Sequence, residues 1–156
     1  LFPGPPFLRA IDRRIFLLVG AALAMGTALQ GTGGAAYLAH LLVSTLSGFG
    51  PTVILSAMFL FVAVLTNILT NNATAVLFVP IAVSTAQALN VDPMVFVYAV
   101  IFAANCSFAT PMGYQTNLLV MGPGHYKFGD YLRTGVPLII LLWVTYTIFA
   151  PWYYGL

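Results

Sequence analysis

Thr70, Asn71 and Asn72 form a polar step inside apolar sequence, between the runs Thr52 to Leu69 and Ala73 to Leu89. Amide and hydroxyl groups left unpaired in an apolar medium cost several kcal/mol each, so such a step persists only where protein or a wet cavity receives it. A second step follows at Asn105-Cys106-Ser107 and Ala109-Thr110-Pro111-Met112-Gly113. Where a helix breaks at membrane depth, unwound carbonyls can coordinate a cation. The N-terminus of the next half-helix offers free N–H groups and a positive dipole end to an anion. Joint binding of sodium and an anion needs both parts.

Plainer readings compete for the same residues. Thr66, Asn67, Thr70, Asn71 and Thr74 recur at three- and four-residue spacing, so one helix face would carry most of them, as in ordinary interhelical hydrogen bonding. The second step also reads as a proline kink at Pro111 relieved by hydroxyl groups. Gln115, Thr116 and Asn117 either extend the site or cap the second half of a broken helix.

Other chemistry finds little material. His40 and His125 have no histidine, cysteine or carboxylate at ligand spacing, so no metal beyond sodium is expected, and no cofactor. Asp130 and Arg133, three residues apart, suit helix capping and a local ion pair. The single cysteine, Cys106, excludes an internal disulfide. No carboxylate falls within the apolar runs to relay protons, and no nucleophile is paired with a base, so the chain does not read as an enzyme.

The elements that must position these residues are membrane helices. Hydrophobic residues make up 61% of the sequence and charged residues 5%, against about 25% charged in a soluble domain, so a water-facing surface cannot be built. The charges gather at Arg9 to Arg14, Asp92 and Lys127 to Arg133, and the net charge of +2 is too scattered for nucleic acid. An all-α, polytopic membrane protein follows. Ile15 to Gln30 reads as a first span of about 24 Å. It is preferred over a secretory signal because further apolar stretches follow it.

Gln30 to Gly34 breaks that helix, Ala35 to Leu46 lies at the interface, and Pro51 starts the next helix. Asn90 to Pro93 is a turn, Met94 starts a helix running into the second polar step, and Gly135 to Tyr154 is the last span, ending in an aromatic belt. The positive-inside rule places Arg9, Arg13, Arg14, Lys127 and Arg133 in the cytoplasm. Parity closes whether 52–89 is a re-entrant hairpin or two full spans. Residues 1–14 read as a cytoplasmic linker in a truncated chain.

The run Thr66-Asn67-Ile68-Leu69-Thr70-Asn71-Asn72-Ala73-Thr74-Ala75, continuing to Val79-Pro80-Ile81-Ala82, resembles the second Ser-Asn-Thr signature of the divalent anion/sodium symporter family. Ala24-Met25-Gly26, Thr32-Gly33, Ala109-Thr110-Pro111, Lys127-Phe128 and Gly135-Val136-Pro137-Leu138 fall in the family's order. The resemblance implies that 15–156 is the C-terminal inverted repeat of an elevator-type transporter, with Thr70-Asn71-Asn72 at a re-entrant hairpin tip.

Its implied partners are the N-terminal half of the same transporter, a second copy in a homodimer, and the lipid bilayer of the plasma (inner) membrane. It implies multi-pass, sodium-coupled transport of sulfate or a dicarboxylate. The alternative is arsenite or sodium/proton exchange by a related ion transporter. By the same resemblance Thr70, Asn71, Asn72 and Thr110 bind the anion, and Thr66, Leu69, Asn71, Ala109 and Pro111 bind sodium. Asn72 replaces the signature's threonine, and Met112 to Asn117 lengthens the second motif, which favours the sulfate branch.

Overall fold

The computed structural model describes residues 49–156 continuously and, before them, positions 24, 28, 31–34, 37, 41 and 44–46. The linker 1–14, most of the first span and His40 lie outside the described residues. Thr32 and Gly33 form a turn, with Gly33 at φ 75°, in the expected glycine-rich break.

Five helices follow: α1 (Pro51–Leu65), α2 (Asn71–Ala88), α3 (Pro93–Ala104), α4 (Gln115–Met121) and α5 (Phe128–Tyr154). The described residues contain no strand. Each start has a local cause. Pro51 and Pro93 occupy first-turn positions, where a missing N–H costs nothing. Asp92 accepts from the Met94 N–H at 2.9 Å, and the Asp130 carboxylate accepts from the Lys127 N–H at 2.7 Å. Asp130 is therefore a cap, as expected. The accompanying ion pair with Arg133 is not formed, because the carboxylate is turned back to the helix end.

Four of these helices are short for a bilayer, the seven-residue α4 most of all. At 1.5 Å per residue α1, α2 and α3 reach about 22, 27 and 18 Å, against about 30 Å of hydrocarbon. Only α5, with 27 residues, is long and apolar enough among the described helices to cross a membrane. It begins at Phe128, seven residues before the expected Gly135.

α3 packs against both α1 and α2, which touch each other mainly through Phe61 and Phe78, ring centroids 5.6 Å apart. Ala99 and Ala103 on α3 and Ala82 and Ala86 on α2 are all fully buried. Small residues four apart let helix backbones approach closely where lipid removes the hydrophobic drive to associate. Phe59, Phe96, Val62 and Val100 are among the larger side chains fully buried in the same core.

On the far side α5 docks on α1. Trp143 Nε1 donates to the Ser56 carbonyl and hydroxyl at 3.1 and 3.0 Å, and the Ser56 and Thr147 hydroxyls share a 2.8 Å hydrogen bond. Tyr146 stacks on Phe59 at 4.8 Å. This arrangement holds the two polar steps at the helix ends and brings them together.

Candidate functional site

Helix α1 stops at Leu65, four residues before the apolar run does, and residues 66–70 form a turn. The expected shared helix face of Thr66, Asn67, Thr70, Asn71 and Thr74 therefore does not exist. Threonine and asparagine side chains compete with helix hydrogen bonds, and here both find partners elsewhere. The Thr66 hydroxyl donates to the Ala104 carbonyl at 2.6 Å, tying the C-terminal ends of α1 and α3. The Asn67 amide donates to the Ala63 carbonyl at 2.7 Å and the Cys106 carbonyl at 3.1 Å, and its Oδ1 accepts from the Ala109 N–H at 2.8 Å.

Thr70 caps α2, its Oγ1 accepting from the Ala73 N–H at 3.3 Å. Asn71 opens the helix with its side chain turned inward among four oxygens. Its amide nitrogen donates within this group, which comprises Ser107 Oγ at 2.9 Å, Thr66 Oγ1 at 3.0 Å, and the Ala104 and Gly113 carbonyls at 3.2 Å each. An amide nitrogen satisfies such acceptors and a carbonyl oxygen does not.

The second step is a true break, with no regular helix between Ala104 and Gln115. It is held by side chains. The Thr110 hydroxyl donates to the Asn67 carbonyl and accepts from the Gly113 N–H. The Asn117 amide donates to the Ser107 and Thr110 carbonyls at 2.8 and 3.1 Å, and the Tyr131 hydroxyl donates to the Asn117 carbonyl at 2.7 Å. Two glycines make room. A Cβ on Gly113 would lie 2.7 Å from the Thr66 carbonyl oxygen and 3.1 Å from Asn67 Cα. One on Gly135 would strike the Phe108 carbonyl and Ala109 Cα, so α5 meets the break backbone to backbone.

Beside Asn71 lies a cavity of about 350 Å³ lined by Asn105, Ser107, Phe108, Tyr114, Thr116 and Asn117 as well. Its polar groups are amides and hydroxyls, which serve an anion as donors and a cation as acceptors without a fixed charge. Among the described residues no cluster of His, Cys, Asp or Glu forms a transition-metal site.

The residues singled out for binding fall into three places. Asn71 lines the cavity, with Thr66 directly behind it. Thr70 and Asn72 are exposed at the α2 N-terminus, and Leu69 is exposed in the turn before them. Ala109 and Pro111 are buried in the second break, and Thr110 faces Asn67 rather than the cavity. The carbonyls of Thr66, Leu69, Ala109 and Pro111 accept no hydrogen bond from another described residue.

Asn67, Ser107, Tyr114 and Asn117 also belong to the arrangement; the sequence placed Asn67 on the polar face beside the first step and Ser107 in the second step, and left Asn117 as an extension of the site or a cap, without naming any of the four as a binding residue. The usable signal for Asn67 was its adjacency to Thr66; Asn117 stood seven residues past Thr110, close only if the helix is broken.

Comparison with known proteins decides the family. The model of the citrate transporter family matches residues 5–101. The chain belongs to that family, among the divalent anion/sodium symporters. An uncharacterized transporter of Synechocystis sp. is 43% identical over 144 residues, covering 90% of this chain and 23% of that protein. Sodium/sulfate cotransporter 1 of Chlamydomonas reinhardtii is 34% identical, covering 87% of this chain and 16% of its own length. The sodium-dependent dicarboxylate transporter SdcS of Staphylococcus saprophyticus is 29% identical, covering 88% and 27%. The chain thus spans about a quarter or less of the length of these relatives, and members of the family are transporters rather than enzymes.

Proposed function

We propose that this citrate transporter family chain is the C-terminal repeat of a secondary active transporter that imports a divalent anion with sodium through the plasma membrane. One observation carries the reading: the two helix breaks meet at Asn71, beside a cavity lined by uncharged donors and acceptors. Among the described residues no lysine or arginine lines it, and a co-bound sodium offsets the charge of the anion.

With its amide nitrogen held inward, Asn71 offers Oδ1, which accepts only a long 3.3 Å bond from the Ser107 hydroxyl, as a sodium ligand. The unengaged carbonyls of Thr66, Leu69, Ala109 and Pro111 complete that sodium site. The anion lies against the α2 N-terminus, where Thr70, Asn71 and Asn72 supply N–H groups and the helix dipole, with Thr110 holding the second break alongside. The N-terminal half of the transporter supplies the opposing wall, α1 and α2 form the re-entrant hairpin of an elevator domain, and two copies form the working dimer.

Sulfate is the first choice of anion over a dicarboxylate, since the Chlamydomonas relative carries that name at higher identity than the staphylococcal one. The test is uptake of labelled sulfate and of labelled succinate by the full-length protein in proteoliposomes, with and without an inward sodium gradient. Sodium-driven uptake of either supports the reading, and the preferred anion decides the branch. Uptake indifferent to sodium, or proton-driven exchange without anion uptake, overturns it.

A further inference from the structure

Asn67 joins the two breaks more completely than any other side chain at the site. Its amide donates to Ala63 in the last turn of α1 and to Cys106 in the second break. Its Oδ1 accepts from Ala109, and its own carbonyl accepts from the Thr110 hydroxyl. It is 6% exposed, and thus has little water to replace a lost bond. Asn67 also lines an apolar cavity of about 320 Å³ with Leu60, Val64, Val136 and Ile140 among others, where the one side-chain donor besides its own amide is the Thr110 hydroxyl that already bonds the Asn67 carbonyl.

Two of the carbonyls assigned to sodium flank this clamp. Thr66 precedes Asn67 in the chain, and Ala109 is the residue whose N–H Asn67 holds at 2.8 Å. The two carbonyls belong to separate non-helical segments, with α2 and α3 lying between them in the chain. A cation site needs its oxygens at a fixed separation, and a group that orients ligands without touching the ion commonly controls affinity by about 10–100-fold.

We infer that Asn67 is a positioning residue for sodium: it sets the spacing between the Thr66 and Ala109 carbonyls and thereby the affinity for the coupling ion, without contacting the anion. This rests on the sodium site proposed above. The experiment compares full-length wild type, Asn67→Ala and Asn67→Gln in proteoliposomes, using whichever of labelled sulfate or succinate the wild type carries. The Gln variant keeps the amide but displaces it by one methylene, and it stands in if the Ala variant does not insert.

Two quantities are read: the half-saturating sodium concentration, and the anion KM at saturating sodium. The expected result is a rise of about 10-fold or more in the sodium value, smaller for Gln than for Ala, with the anion KM within about 2-fold of wild type. An unchanged sodium value overturns the inference. So does an anion KM that rises in step with it, which marks a general loss of structure. A wild type that ignores sodium fails the functional reading itself and is seen before any variant is examined.

Discussion

Gly113 has no room for a methyl group, since an added Cβ would lie 2.7 Å from the Thr66 carbonyl oxygen. That oxygen is a proposed sodium ligand, so Gly113→Ala must either move it or open the second break. Uptake by the full-length Gly113→Ala protein is expected to fall by about 10-fold or more while membrane insertion is unchanged. Wild-type uptake would remove Thr66 from the sodium site. Asn71 is the other decisive residue. Its amide nitrogen is satisfied inside, its Oδ1 accepts from the Ser107 hydroxyl at 3.3 Å and the residue lines the cavity, so Asn71→Ala removes a proposed ligand and a strut together. Loss of transport with a normal detergent-extracted, folded protein is expected, and normal transport would exclude Asn71 from the site.

At the scale of elements, the ends of the neighbouring helices brace the two breaks. α3 ends against the Thr66 hydroxyl, and α5 reaches the second break at Gly135 and Tyr131. The contact of α5 with α1 depends on Trp143, whose N–H bridges to both oxygens of Ser56. Trp143→Phe keeps most of the ring area and deletes that donor, leaving Ser56 its bond to Thr147. A loss of about 1 kcal/mol is expected, read as a lower melting temperature in detergent. Unaltered melting would show that α5 is held by its other contacts, among them the Ser56–Thr147 hydrogen bond and Tyr146 on Phe59, without the Trp143 donor.

For the whole molecule, the site is assembled from segments that the chain separates by about forty residues, and binding energy there must report on folding. An ion that binds only the assembled site stabilises it by about 2.7 kcal/mol at a hundred times its Kd. Full-length protein in sodium chloride is therefore expected to melt at higher temperature than in potassium chloride, before any anion is added. Equal melting in the two salts would argue against sodium as the coupling ion.

Much of this was legible in the residues. Composition with 5% charge pointed to a membrane chain of helices, and the described residues are helical without a strand; Pro51, Asp92 and Pro93 announced helix starts, and the two polar steps announced the places where helices stop. Those signals are local, because a cap or a proline acts on its own turn and apolar content acts on the surrounding solvent. What tertiary structure alone decided is the partner of each polar group. Asn67 bonds Cys106 and Ala109, about forty positions on, and α1 therefore unwinds at Leu65 instead of running to Leu69. No spacing rule within one helix carries that information, since the competing acceptors lie on another segment and exist only after α3 has packed against α1 and α2.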